Sequence, residues 1–143
     1  MKSISEYLTA EHRHCDVLFA EAEAVLTESD TTAAQEAFRI FNKEMESHLQ
    51  KEENIMFPIF EEGSGSYMSG PTRIMRMEHG QMRRLFEDIE AALDKKDVST
   101  CAGLLETLLM VMQQHNIKEE QMLYQMADNM LESHEDILRQ MMA

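Results

Sequence analysis

His48-Leu49-Gln50-Lys51-Glu52-Glu53 and, 67 residues further on, His115-Asn116-Ile117-Lys118-Glu119-Glu120 decide how this chain folds. In each stretch His and Glu stand four residues apart, about one helical turn, so an α-helix carries both on one face. Apolar residues extend that face in alternating steps of three and four. Around the first motif it reads Phe38, Phe41, Met45, His48, Glu52, Ile55 and Ile59. Around the second it reads Leu105, Leu108, Met112, His115, Glu119, Met122 and Met126. Two further segments carry the same pattern: Leu8, His12, Cys15, Phe19, Ala22, Leu26, and Met75, His79, Met82, Phe86, Ile89, Leu93. A stripe of this kind is the buried seam of a helix in a bundle.

Turn signals separate the four stripes. Thr27-Glu28-Ser29-Asp30 is a polar break in which Asp30 suits an N-cap, and Asp94-Lys95-Lys96-Asp97 is another. Gly63-Ser64-Gly65-Ser66 and Ser69-Gly70-Pro71 bracket a longer loop, with Pro71 suited to a first helical position. The predicted helices therefore span about 4–28, 31–61, 71–94 and 98–128. Ser3-x-x-Glu6 forms a capping box at the start, and Pro58 predicts a kink or early end in the second helix. Ser133-x-x-Asp136 opens a short helix within the tail, 129–143. The expectation is one all-α domain over 1–143: an up-down-up-down antiparallel four-helix bundle with a short C-terminal helix, built from two hairpins at about 4–61 and 71–128.

Six seam residues are wrong for an apolar core: His12, His48, Glu52, His79, His115 and Glu119. A buried, unpaired carboxylate costs several kcal/mol or is driven neutral. Any one of these histidines alone would be most simply a satisfied core group, but their heights agree. In an antiparallel hairpin, residues equidistant from the turn lie side by side. The midpoint of His12 and His48 falls on Asp30, that of His48 and His79 between Gly63 and Ser64, and that of His79 and His115 on Asp97. All three are turns identified independently. The imidazoles therefore share one layer, with Glu52 and Glu119 about 6 Å further along the axis. A displacement of 67 also carries Glu11-His12 onto Glu78-His79 and Lys51-Glu52-Glu53 onto Lys118-Glu119-Glu120. The chain is a repeated hairpin.

Four imidazoles and two carboxylates in a dry layer suit a dinuclear metal centre. Two histidines serve each ion and both carboxylates bridge. Mixed N/O ligation favours iron, with manganese or zinc possible. A bridging oxide or hydroxide gives each ion a fifth donor and leaves a sixth position for an outside molecule.

Composition narrows the partners. Twenty-seven acidic against 13 basic side chains leave a net charge of −14, which disfavours nucleic acid and anionic membrane surfaces. No run of about 18 apolar residues suggests a membrane span. Cys15 and Cys101 are too few for a disulfide framework, and Met1-Lys2-Ser3-Ile4 begins no signal peptide, so a cytoplasmic protein is expected.

In these residues the sequence resembles the hemerythrin-like (HHE cation-binding) family of di-iron four-helix bundles. The pieces that carry the likeness are Glu11-His12, His48-x-x-x-Glu52 with Met56-Phe57-Pro58, Glu78-His79, and His115-x-x-x-Glu119 with Leu123-Tyr124, covering roughly 5–128. The resemblance implies a non-haem di-iron site that binds or senses dioxygen, nitric oxide or a related small molecule such as peroxide. The alternatives are a di-iron redox enzyme reducing peroxide or nitric oxide, and an iron-centre repair or iron-donor protein in the stress response. Oxygen carriers of the family have two ligand histidines one turn apart on the third helix. Here the neighbours of His79 are Met75 and Arg83, so a fifth imidazole has no evident source. The set of four His and two Glu is closer to the family's iron-centre repair proteins, whose cysteine-bearing domain has no counterpart in these 143 residues.

Other residues are secondary. Cys15 reads as a small core hydrophobe, with a redox or gating role as the sharper alternative. His14, about 200° round the helix from His12, faces outward unless the helix is distorted. Met45, Met75, Met82, Met112 and Met122 flank the layer as apolar filler, keeping it poor in water. Glu53 and Glu120 fall off the seam and are expected at the surface, with ligation as the runner-up.

Overall fold

The computed structural model describes residues 3–64, 66–130 and 134–143. It is all-helical, with no strand among the described residues. The elements are α1 (Ile4–Thr27), α2 (Thr31–Lys51), a π-helical turn (Glu52–Met56), α3 (Phe57–Ser64), α4 (Ser66–Asp94), α5 (Val98–Lys118), a second π-helical turn (Glu119–Leu123), α6 (Tyr124–Met130) and α7 (His134–Met142).

Local chemistry sets the ends. Ser3 caps α1, its hydroxyl accepting from the Glu6 amide at 3.0 Å. Asp30 and Asp97 cap α2 and α5 through the amides of Ala33 and Thr100. The residue before each cap, Ser29 (φ 61°) or Lys96 (φ 56°), is left-handed. Bonds from Asp30 N to Val25 O and from Asp97 N to Ala92 O close α1 and α4 in the same way, satisfying carbonyls that a helix end leaves orphaned.

Two boundaries depart from the sequence expectation. α4 begins at Ser66, not near 71, so Pro71 lies inside it and the Gly/Ser-rich stretch is helical apart from residue 65, outside the described residues. Proline there has no amide to offer the carbonyl four residues back, so α4 lacks one main-chain bond in its second turn. Pro58 does not end the second rod; it follows the first π turn. That turn is not made by proline, because its counterpart over Glu119–Leu123 precedes Gln125. Each π turn is closed by an i+5 bond, Phe57 N to Glu52 O and Tyr124 N to Glu119 O. The α7 helix is present as expected, while its proposed cap Ser133 lies outside the described residues.

α1 packs along α2 and α5, and α4 along α5 and α2. Contacts between α2 and α4 run in opposite directions: Gln35 to Asp94, Asn42 to Glu90, Glu46 to Arg83. The buried apolar residues form two clusters. One contains Cys15, Phe19, Phe38, Phe41, Met45, Met82, Phe86, Leu105, Leu108 and Met112. The other contains Ile4, Leu8, Met56, Phe57, Met75, Leu123, Tyr124, Ala127, Ile137, Leu138 and Met141. The six polar seam residues belong to neither.

Candidate metal centre

His12, His48, Glu52, His79, His115 and Glu119 come together, none more than 2% exposed. α1, α2, α4 and α5 each supply one imidazole, and the first residue of each π turn supplies a carboxylate. His12 and His48 have ring centres 4.7 Å apart, and His79 and His115 5.0 Å, so each pair lies side by side as equal distances from the turns at Asp30 and Asp97 require. The residues form two groups whose ligand atoms all lie within 4.8 Å of one another: His12, His48, Glu52, Glu119 and Glu52, His79, His115, Glu119. Both glutamates belong to both groups.

Around them runs an outer ring of carboxylates. His48 Nδ1–H donates to Glu11 (2.9 Å), His79 to Glu53 (2.7 Å), His115 to Glu78 (2.8 Å) and His12 to Glu120 (2.6 Å). Each bond joins a different pair of rods, so the ring closes around the molecule. It also fixes the tautomer, turning the Nε2 lone pairs inward as metal ligation requires. Each outer carboxylate has a cation beyond it: Lys51 on Glu11, Arg83 on Glu53, Lys118 on Glu78 and Arg13 on Glu120. Burial alone would raise Glu11 and Glu53; the hydrogen bonds from His48 and Lys51, and from His79 and Arg83, hold them instead at about 2.

Inside the ring the balance differs. Burial would lower the basicity of His12 and His79, but Glu119, Glu52 and the outer carboxylates raise them to about 9 and about 11. Glu52 is pushed up by burial and by the charge of Glu119. Glu119 is held well down despite its burial, because His115, His12 and His79 all face it. Without cations, this set can satisfy itself only by holding extra protons.

A direct test of fit lies in four buried atoms that have no hydrogen-bond partner: Glu52 Oε1, His79 Nε2, His115 Nε2 and Glu119 Oε2. They come one from each residue of the second group. His79 Nε2 approaches Glu52 Oε1 to 3.1 Å and His115 Nε2 approaches Glu119 Oε2 to 3.1 Å, yet neither pair has hydrogen-bond geometry. Lone pairs collected in this way suit a shared cation.

A model of the hemerythrin HHE cation binding domain matches residues 3–127 and again residues 70–143. The chain belongs to the hemerythrin HHE cation-binding family. Among curated relatives, it is 37% identical over 51 residues to the "Iron-sulfur cluster repair protein YtfE" of Cronobacter sakazakii. It is 39% identical over 51 residues to proteins of the same name from Escherichia coli and Shigella boydii. Each match covers 36% of this chain and 23% of the relative, so the similarity spans under a quarter of those proteins. No solved structure matches the chain.

Within this hemerythrin-like, metal-binding chain the remaining sequence candidates divide. Cys15, Met45, Met75, Met82 and Met112 are buried, whereas His14 is at the surface, away from the cluster. Burial first, then nearby acidic groups, push the Cys15 thiol up to about 12, which suits a core residue and not a thiolate. Glu53 and Glu120 are corrected: they are neither free surface groups nor members of the ligand groups but the partners of His79 and His12. Met122 is corrected too, 51% exposed because the π turn moves Leu123 and Tyr124 onto the seam instead. Glu11, Glu78 and Tyr124 are part of the family likeness in the sequence but have no role assigned from it. The two acids were signalled by surviving the 67-residue displacement, and Tyr124 by replacing Phe57 under it.

Proposed function

We propose that the chain is a di-iron protein, with one iron held by His12, His48, Glu52 and Glu119 and the other by Glu52, His79, His115 and Glu119. The frame is a single up-down-up-down antiparallel four-helix bundle over 1–143, completed by the short C-terminal helix. The observation that carries the reading is that both groups of ligand atoms share the same two buried glutamates. Bridging carboxylates hold two cations close together while offsetting their charge. Iron supplies redox chemistry and affinity for diatomic molecules. The protein's part is to orient the imidazoles through the outer ring and to bury the centre between two apolar clusters, excluding water and charged solutes. Reversible binding or sensing of dioxygen or nitric oxide in the cytoplasm is the function this fits best. A second reading, repair of iron centres or donation of iron to them, is favoured by the name of the bacterial relatives.

Metal analysis and an optical spectrum of protein purified without oxygen and then exposed to air test the proposal. It expects two irons per chain and an oxo-bridge band in the near ultraviolet. One zinc, or no metal, overturns it. Spectra that reverse on removing the gas support binding; transfer of iron to an acceptor apoprotein supports the second reading.

A further inference from the structure

We propose that the Tyr124 phenol oxygen is a fifth protein donor to the ion held by His12, His48, Glu52 and Glu119, making the two irons inequivalent. The inference rests on the di-iron reading and deepens it. Tyr124 is fully buried, and its Oη lies 2.5 Å from Glu52 Oε2, 3.0 Å from Glu119 Oε1, 3.0 Å from His12 Nε2 and 3.5 Å from His48 Nε2. Donors about 2.1 Å from one ion and at right angles to each other stand about 3 Å apart. The four contacts bracket that spacing, and the four partners are the whole first group. The phenol has one proton to donate and two lone pairs with which to accept, so hydrogen bonding accounts for at most three of the four contacts.

The second π turn puts the oxygen there. Its i+5 bond from Tyr124 N to Glu119 O stacks residue 124 over residue 119, as the first π turn stacks Phe57 over Glu52. The two rings are equivalent under the repeat: Tyr124 lies 5.6 Å from His12 at 31°, and Phe57 lies 5.6 Å from His79 at 27°. Only one of them has a hydroxyl. The four partnerless atoms are the Nε2 atoms of His79 and His115, the pair on the Phe57 side, and the glutamate oxygens 3.1 Å from them. Coordination of Tyr124 releases its proton, as for any protonated ligand. The exchangeable position then falls to the second ion, which has four protein donors.

The test loads the full chain with iron(II) without oxygen, oxidises it, and records optical, resonance Raman and Mössbauer spectra. The expected result is a visible phenolate-to-iron(III) charge-transfer band with enhanced tyrosine ring modes, and two distinct iron signals of equal area. Tyr124→Phe should lose the band and keep two irons, and Phe57→Tyr should strengthen it and bring the two signals together. The wild-type spectra decide the matter even if a variant does not fold. Two irons without the band, or a band unchanged in Tyr124→Phe, overturn this inference alone. A chain that takes up no iron overturns the di-iron reading as well.

Discussion

Glu53 touches neither group of ligand atoms, yet its carboxylate accepts from His79 Nδ1 and is clamped by Arg83 at 2.7 and 2.9 Å. An outer carboxylate of this kind keeps the imidazole in one tautomer and makes it a better donor. Its loss typically lowers metal affinity about 10- to 100-fold. Glu53→Gln should therefore bind iron that much more weakly in a chelator competition while keeping its helical circular dichroism, with the exposed Glu62→Gln as the control. Equal affinities in the two variants would show that the ring does not tune the centre. A second residue-scale prediction concerns Lys96. Its φ of 56° places Cβ against the carbonyl that follows, a strain of about 1–2 kcal/mol that glycine escapes. Because glycine is also freer in the unfolded chain, Lys96→Gly should stabilise by only about 0.5–1 kcal/mol, read as a rise in melting temperature.

At the scale of elements, the π turns separate what the sequence states openly from what it conceals. The seams up to His48, Glu52, His115 and Glu119, the Asp30 cap and the turn at Asp97, and the pairing of His12 with His48 and of His79 with His115 all follow from periodicity and turn chemistry. Periodicity continues the seams through Ile55, Ile59, Met122 and Met126, because nothing in composition marks one extra residue per turn; the side chain of Ile59 lies outside those described. The buried continuations are Met56 and Phe57 on one rod and Leu123, Tyr124 and Ala127 on the other, with Ile55 and Met126 partly buried against them and Met122 exposed. The outer acids were hidden for a related reason. Glu11, Glu53, Glu78 and Glu120 sit one position off the seam, where a charged residue reads as solvated exterior; only the repeat distinguishes them. The start of α4 was hidden by glycine, serine and proline, which signal a loop in isolation. The extra residue makes a prediction of its own. Deleting Gln121, exposed within the second π turn, should convert that turn to α-helix and leave Leu123, Tyr124 and Ala127 facing inward. Deleting Gln114, exposed within α5, instead rotates everything beyond it by about 100°. Thermal melts should show the first variant folded, though with weakened metal binding, and the second severely destabilised. Similar melts for both would mean that the π turn does not absorb the residue.

For the whole molecule, the centre is a polar slice between two apolar clusters, so its charge balance bears on the stability of every rod. His12 and His79 are raised above the ordinary value of 6.5, to about 9 and about 11, when no metal is present. A raised histidine contributes stability that is fully present below about pH 6.5 and disappears as pH rises through its folded value. The metal-free chain should therefore lose stability in alkaline solution. Glu11 and Glu53, held at about 2 against an ordinary 4.5, act at the other end: their contribution is present above about pH 4.5 and lost as pH falls toward 2. Metal reverses the alkaline trend, because ligation needs the imidazoles deprotonated and so competes with protons. A ligand at about a hundred times its dissociation constant adds about 2.7 kcal/mol to stability, and that increment grows as the dissociation constant falls. The gap in melting temperature between iron-loaded and metal-free protein should therefore widen steadily from about pH 6 to about pH 9. Calorimetry on the two forms across that range measures it. A gap that stays constant or narrows would mean that cations and protons do not compete for these imidazoles.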